Sequence, residues 1–224
     1  HQTYDREDPF FYAELGVFTE RVEFPVLLEN GNVWMSVVVS EIESMADAIA
    51  EAHGKVITYG LGLGYYAFMA AEKDNVESVT VIEKNPDVIR LFTESILPFF
   101  PHKEKIQIIE ADALEFVKAQ EDGAYDYAFS DFWGAYYDGV DLYMQFMPLT
   151  ARFSRTKHSY WIESCFMEYF FRPVFMRLLM EKGLGQRVKL PERSREVRAL
   201  QDEFFRYMET QPLSIASADD IDRL

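Results

Sequence analysis

Four points along this chain carry residue types that do chemistry, and each follows a short apolar run. Gly60, Gly62 and Gly64 alternate with leucine after "KVITY"; Glu83 follows "SVTVI", Asp112 follows "KIQIIEA", and Asp131 follows "YDYAFS". Glycine lets a backbone turn tightly and admits a ligand where a Cβ would stand. A carboxylate at the second point can accept both hydroxyl hydrogens of a ribose. One at the third can accept from an adenine amino group, cap a following helix, or do both. One at the fourth can take a proton from a reacting group. No lysine or arginine accompanies the glycines, whereas a phosphate loop follows its last glycine with Lys and Ser or Thr. The dinucleotide pattern G-x-G-x-x-G also fails, because its third glycine would fall where this chain has Tyr65. Acids around a cationic sulfonium make better electrostatic sense than acids around a pyrophosphate.

The elements that must position these residues follow from periodicity. "KVITYG", "SVTVIEKN", "EKIQIIEAD", "YDYAFSDFW" and "HSYWIES" read as buried strands. Between and after them "YYAFMAAEKD", "PDVIRLFTESIL", "ALEFVKAQ", "DLYMQFMPLTARF" and "MEYFFRPVFMRLLMEKG" read as helices, with Pro86 in a first turn and Pro173 as a kink. "RSREVRALQDEFFRYMET" reads as a final amphipathic helix. Strands alternating with helices imply α/β architecture: a Rossmann-like, doubly wound, mostly parallel sheet with its ligand at the carboxyl ends of the strands. Upstream, "VEFPVLLENGNVWMSVVVS" gives two β-rich runs around an Asn-Gly tip, a β-hairpin. Ser44 is expected to start a helix with Asp47 in the capping-box role and Gly54 as its stop. The division is residues 1–43 as an N-terminal β extension and 44–224 as the Rossmann-like domain.

With 224 residues, 49% hydrophobic and 16% aromatic, the chain can bury a sizeable core. The formal charge of −16 repels phosphate backbones, which favours a small-molecule acceptor over nucleic acid, and "RFSRTK" is the best basic patch. No apolar run approaches a membrane span and no signal-like segment opens the chain. A single cysteine, Cys165, leaves no internal disulfide and suits a reducing cytoplasm. His53, His102 and His158 are scattered, so no metal site is expected, and Cys165 has no nucleophile constellation around it.

"VITYGLGLG", "VTVIEKNPDVI", "IQIIEADALEFV" and "YDYAFSDFW" together resemble motifs I to IV of class I S-adenosylmethionine-dependent methyltransferases, over roughly residues 55–135. The hairpin and "VIEKNPDVI" are similar to those of the spermidine synthase group. The resemblance implies that S-adenosylmethionine is held by Tyr59, Gly60, Gly62, Gly64, Glu83, Asp112 and Ala113. It implies that Glu83 takes the ribose, that Asp112 with Ala113 takes the adenine, and that the three glycines face the amino-acid end and ribose. Asp131 matches the first aspartate of the aminopropyltransferase signature and is the candidate base. Trp133, Tyr136 and Tyr137 could line an acceptor pocket or simply pack a loop. The departures are Thr58 where many methyltransferases carry an acid, Gly134 where the second catalytic aspartate would stand, and Ile49 near the place of a substrate tyrosine. The expected activity is in-line methyl transfer to an unidentified small-molecule or protein acceptor. Aminopropyl transfer is an alternative, as is a non-catalytic cofactor-binding scaffold whose partner surface would be "CFMEYFFRPVFM". By analogy with similar proteins, the hairpin is the candidate surface for a homodimer.

Overall fold

A computed structural model describes residues 21–134, 136–166, 170–187 and 195–210. Residues 1–20 of the expected N-terminal extension lie outside the described residues. Five parallel strands form the central sheet: β3 (Gly54–Tyr59), β4 (Val76–Glu83), β5 (Ile106–Glu110), β6 (Tyr127–Ser130) and β7 (Lys157–Tyr160), in the order β5-β4-β3-β6-β7. The chain winds outward from β3 through β4 to β5, returns to the other side of β3 as β6, and ends at β7. The direction of winding reverses between β3 and β6, which opens a crevice at their carboxyl ends.

Period-two alternation along each strand feeds two cores. On one face Val56, Val79, Val81, Tyr127 and Phe129 pack with α3 (Tyr65–Ala71) and α4 (Pro86–Ser95). On the other, Ile57, Tyr59, Ile82 and Ala128 pack with α5 (Ala113–Ala119) and α6 (Tyr136–Thr150). From Val56 to Tyr59 both sides of β3 are therefore dry, which explains why no polar alternation appears there. Beyond β7 lie α7 (Arg172–Leu178) and α8 (Arg195–Glu209), which share a third apolar cluster. Pro173 falls in the first turn of α7, which directly follows Phe170 and Phe171, where the chain is π-helical.

The hairpin is present as β1 (Val26–Glu29) and β2 (Asn32–Ser36), turning at Asn30-Gly31, both with positive φ. The following residues depart from expectation. Val39–Ser44 form a short helix, α1, and Ala46–Glu51 form α2, so Ser44 ends one helix and does not start another. β2 runs out of partner at Ser36, opposite Val26 at the start of β1. The Val37 N–H still reaches the Pro25 carbonyl at 3.1 Å, but beyond it the β-branched run has no strand to pair with among the described residues, and tertiary context overrides propensity. Gly54, with φ +60°, opens β3. "HSYWIES" likewise stays extended only to Tyr160 before Trp161–Cys165 close into a 3-10 turn.

A half-buried histidine contributes to the pH dependence of the fold. His158 of β7 stacks on Phe153 and Tyr160, with ring centroids 6.1 and 6.0 Å away, and among the described residues neither ring nitrogen has a hydrogen-bond partner. Burial lowers its pKa. The unfolded chain then binds the proton more readily, so His158 contributes stability above about pH 6.5 that is lost as pH falls below it. In denaturation series from pH 7.5 to 5, the stability of His158→Phe relative to the unsubstituted protein should rise as pH falls, whatever the other titrating groups contribute to both. Parallel slopes would show that the imidazole does not drive it.

Candidate active site

The strand ends do converge. A cleft of about 330 Å³ lies at the crevice, bounded by the glycine turn, by Glu83, Asp112 and Asp131, and by Trp34 and Met35 of the hairpin. Its lining includes five carboxylates, from Glu29, Glu41, Glu83, Asp112 and Asp131, against a single lysine, Lys84.

All three glycines of the turn have positive φ: 102° at Gly60, 51° at Gly62 and 78° at Gly64. Each also has a neighbour in the place of its missing side chain. A Cβ on Gly60 would lie 2.0 Å from the carbonyl oxygen of Asp131, one on Gly62 2.0 Å from Met35 Sδ, and one on Gly64 2.1 Å from the Phe92 ring. Gly60 and Gly62 line the cleft, whereas Gly64 and Tyr59 stand outside its lining. Gly64 lets α3 approach α4. Tyr59 is fully buried on the opposite face of the sheet, where its hydroxyl donates to Gln120 Oε1 at 2.6 Å.

Glu83 fastens the turn to the second strand. Its Oε2 accepts from the Leu61 N–H at 3.1 Å and its Oε1 from the Asn85 N–H at 2.8 Å. Each carboxylate oxygen has a second lone pair, so both can still accept a diol hydrogen from the cleft. Asp112 caps α5: Oδ1 accepts from the N–H groups of Leu114 and Glu115 at 2.9 and 3.2 Å. Its Oδ2 remains for the cleft, and buried Ala113 lies beside it.

Asp131 is fixed by its own N–H, which donates to the Tyr59 carbonyl at 2.8 Å at the end of β6. Burial, reinforced by the charge of Glu41, pushes its carboxyl up to about 7. Burial also raises Glu41. Glu41 reaches the cleft because α1 is tied across the strand ends: the Trp161 indole N–H donates to Ser44 Oγ at 2.8 Å, and Ser44 Oγ donates to the Glu41 carbonyl at 2.8 Å. Sequence reasoning missed Glu41, Met35, Trp34 and Trp161, since no motif connects "SEIES" or "VWMS" to the strand ends that they meet further along the chain. Trp133 lines the cleft while its Nε1 donates to the Ser130 carbonyl at 3.2 Å. Tyr136 and Tyr137 occupy the first turn of α6, and their side chains lie outside the described ones.

No family model and no curated protein matches the chain. Among solved structures it is similar to a precorrin-8W decarboxylase from Methanobacterium thermoautotrophicum, at 21% identity over 52% of this chain and 57% of that one, with a TM-score of 0.40. A spermidine synthase from Thermotoga maritima is 17% identical over 48% of this chain and 39% of its own, with a TM-score of 0.39. A proposed O-methyltransferase from Klebsiella pneumoniae is 14% identical over 79% of this chain and 70% of its own, with a TM-score of 0.44. The chain thus spans less than two thirds of the length of the first two. Its α/β class rests on its own strand order and register, given above.

Among the described residues no group of three His, Cys, Asp or Glu side chains is placed to hold a metal ion, and no helix is long and apolar enough to cross a membrane.

Proposed function

We propose that this protein is an S-adenosylmethionine-dependent methyltransferase acting on a small-molecule acceptor. The observation that carries the reading is the convergence of the glycine turn, Glu83, Asp112 and Asp131 on one cleft at the reversal point of a parallel sheet. The lining fits the cofactor: paired acceptors for a ribose diol at Glu83, a free carboxylate oxygen beside Ala113 for an adenine amino group, and an acidic field for a cation. It does not suit a dinucleotide, whose phosphates would meet five carboxylates and one lysine.

When bound, the cofactor supplies an electrophilic methyl group on a positively charged sulfur. The chain's own work is to hold, align and deprotonate. Glu83 and Asp112 orient the adenosine because backbone N–H groups already fix both carboxylates, so little ordering remains on binding. Asp131 is the candidate base. Held near neutrality by burial, it is ionised enough to accept a proton and basic enough to take one. The tryptophan walls exclude water and align an acceptor beside it, and alignment is the main demand of an in-line transfer. Glu41 and Asp131 together favour an acceptor that enters as an ammonium, whose charge relieves their repulsion.

Glu41 also supports a second reading, aminopropyl transfer to an amine. It contributes a second carboxylate to the cleft, although Gly134 stands where the aminopropyltransferase signature has its second aspartate.

Calorimetry tests the primary reading. S-adenosylhomocysteine should bind, and Glu83→Ala should weaken it at least 30-fold, from two lost charge-assisted hydrogen bonds at about 1–3 kcal/mol each. No detectable binding to the unsubstituted protein would sink both enzyme readings. Product analysis with S-adenosylmethionine or its decarboxylated form, each with butane-1,4-diamine, separates methyl from aminopropyl transfer.

A further inference from the structure

The N–H of Leu63 lies in the middle of the glycine turn, and it is already engaged. It donates to Met35 Sδ at 3.0 Å, and the same sulfur fills the space that a side chain on Gly62 would take. Met35 comes from β2 of the hairpin, so an element thirty residues away in sequence has seated a side chain on the turn that reads as the cofactor's cradle. We propose that Met35 is a latch: its thioether holds the hairpin shut on the glycine turn, and a ligand carboxylate replaces it there when the cleft fills.

The hairpin is built to be moved. Among the described residues it is a two-stranded sheet that pairs only with itself, and such ribbons are marginal without further support. Among the described residues, the Leu63–Met35 contact is the one hydrogen bond from β1 or β2 to the body of the protein; Leu27 adds apolar packing. Leu28, Val33 and Trp34 remain more than half exposed. Lifting the hairpin therefore forfeits little.

Acceptor strength gives the exchange its direction. A thioether is a weak hydrogen-bond acceptor, whereas a carboxylate accepts strongly and brings charge assistance. A ligand that ends in a carboxylate can displace the sulfur at a gain; one without it has nothing to offer the Leu63 N–H. The latch thus confers a preference for the carboxylate-bearing cofactor over a decarboxylated one, and it rests on the adenosyl-cofactor reading given above. Because Trp34 adjoins Met35 and also lines the cleft, displacement of the latch also moves an indole.

The test compares S-adenosylhomocysteine with 5′-methylthioadenosine, which lacks the amino-acid end, on the unsubstituted protein, Met35→Leu and Met35→Ala. Amide exchange at Leu63 is followed in the ligand-free proteins. The latch predicts faster Leu63 exchange in both variants, since neither keeps the acceptor. It predicts about three- to tenfold tighter S-adenosylhomocysteine binding in Met35→Ala, with methylthioadenosine changed less than twofold. Weaker binding, or an equal change for both ligands, would overturn it and leave Met35 a simple wall. If neither ligand binds any form, the adenosyl reading fails, and Leu63 exchange alone decides whether the latch exists. Unchanged exchange overturns it.

Discussion

Asp131→Asn is expected to raise stability and remove activity in a single step. The unsubstituted carboxyl is held at about 7 by burial and by Glu41, against about 3.9 in an unfolded chain. An aspartate raised in the folded state binds its proton more tightly there. Its ionisation therefore costs stability, a loss that starts near the unfolded value and is complete once pH passes the folded one. Asparagine cannot ionise, so at pH 8 the variant should be more stable by roughly 1–3 kcal/mol, less than the full shift implies because water and relaxation screen part of it. At pH 4 the two should match. Catalysis moves the other way. Loss of a positioned base should lower kcat/KM about 10²- to 10⁴-fold. The acidic limb of the pH–rate profile, centred near 7, should vanish. Glu41→Gln, which removes the like charge, should move that limb to lower pH and leave a working enzyme. Chemical denaturation at the two pH values and a rate profile check the set; an advantage of Asp131→Asn over the unsubstituted protein no larger at pH 8 than at pH 4 would show that Asp131 is not held under strain.

Gly60→Ala should be the most damaging substitution in the turn. The new Cβ would have to occupy a space 2.0 Å from the Asp131 carbonyl oxygen and 2.7 Å from its carbon, both of them backbone atoms with no rotamer to escape into. A φ of +102° adds strain of its own. Relief requires β3 and β6 to part where the Asp131 N–H meets the Tyr59 carbonyl, or Gly60 to leave its N–H bond to the Ile82 carbonyl of β4, each at 2.8 Å. A cost of about 3 kcal/mol or more is expected, a large share of a domain's total stability. Gly31→Ala supplies the control. It too has a positive φ, +81°, but nothing lies within 4 Å of its missing Cβ. It should cost only about 1–2 kcal/mol. Equal losses in the two variants by urea denaturation would show that conformation, and not the close approach of Asp131, is why Gly60 is a glycine.

Much of this architecture was legible along the chain because it is local. Val56 to Tyr59 are apolar or β-branched without interruption, and a strand buried on both faces needs that composition. Asn85-Pro86 and Asp112-Ala113 state the starts of α4 and α5, and Asn85 and Asp112 do accept the N–H bonds that cap them. The placement of Glu83, Asp112 and Asp131 around one cleft followed from strand periodicity, because a parallel sheet brings its carboxyl ends to one edge whatever the helices between them contain.

Other features depended on distance. Tyr59 stands next to the glycine turn in sequence, yet strand alternation directs its side chain to the far core and Gln120. Glu41 entered the cleft because α1 formed where a strand ran out of partner, and because Trp161 tied Ser44 over the sheet. Met35 reached Gly62 only through the fold of the hairpin onto the turn. Local sequence set which residues end β3, β4, β5 and β6, and hence the Gly, Glu, Asp, Asp edge, since hydrogen-bonded periodicity is written in neighbours. The tertiary structure alone decided what faces that edge. Contacts between segments far apart in the chain arise from packing of whole elements, and no local pattern encodes the partner that a hairpin or a helix will finally meet.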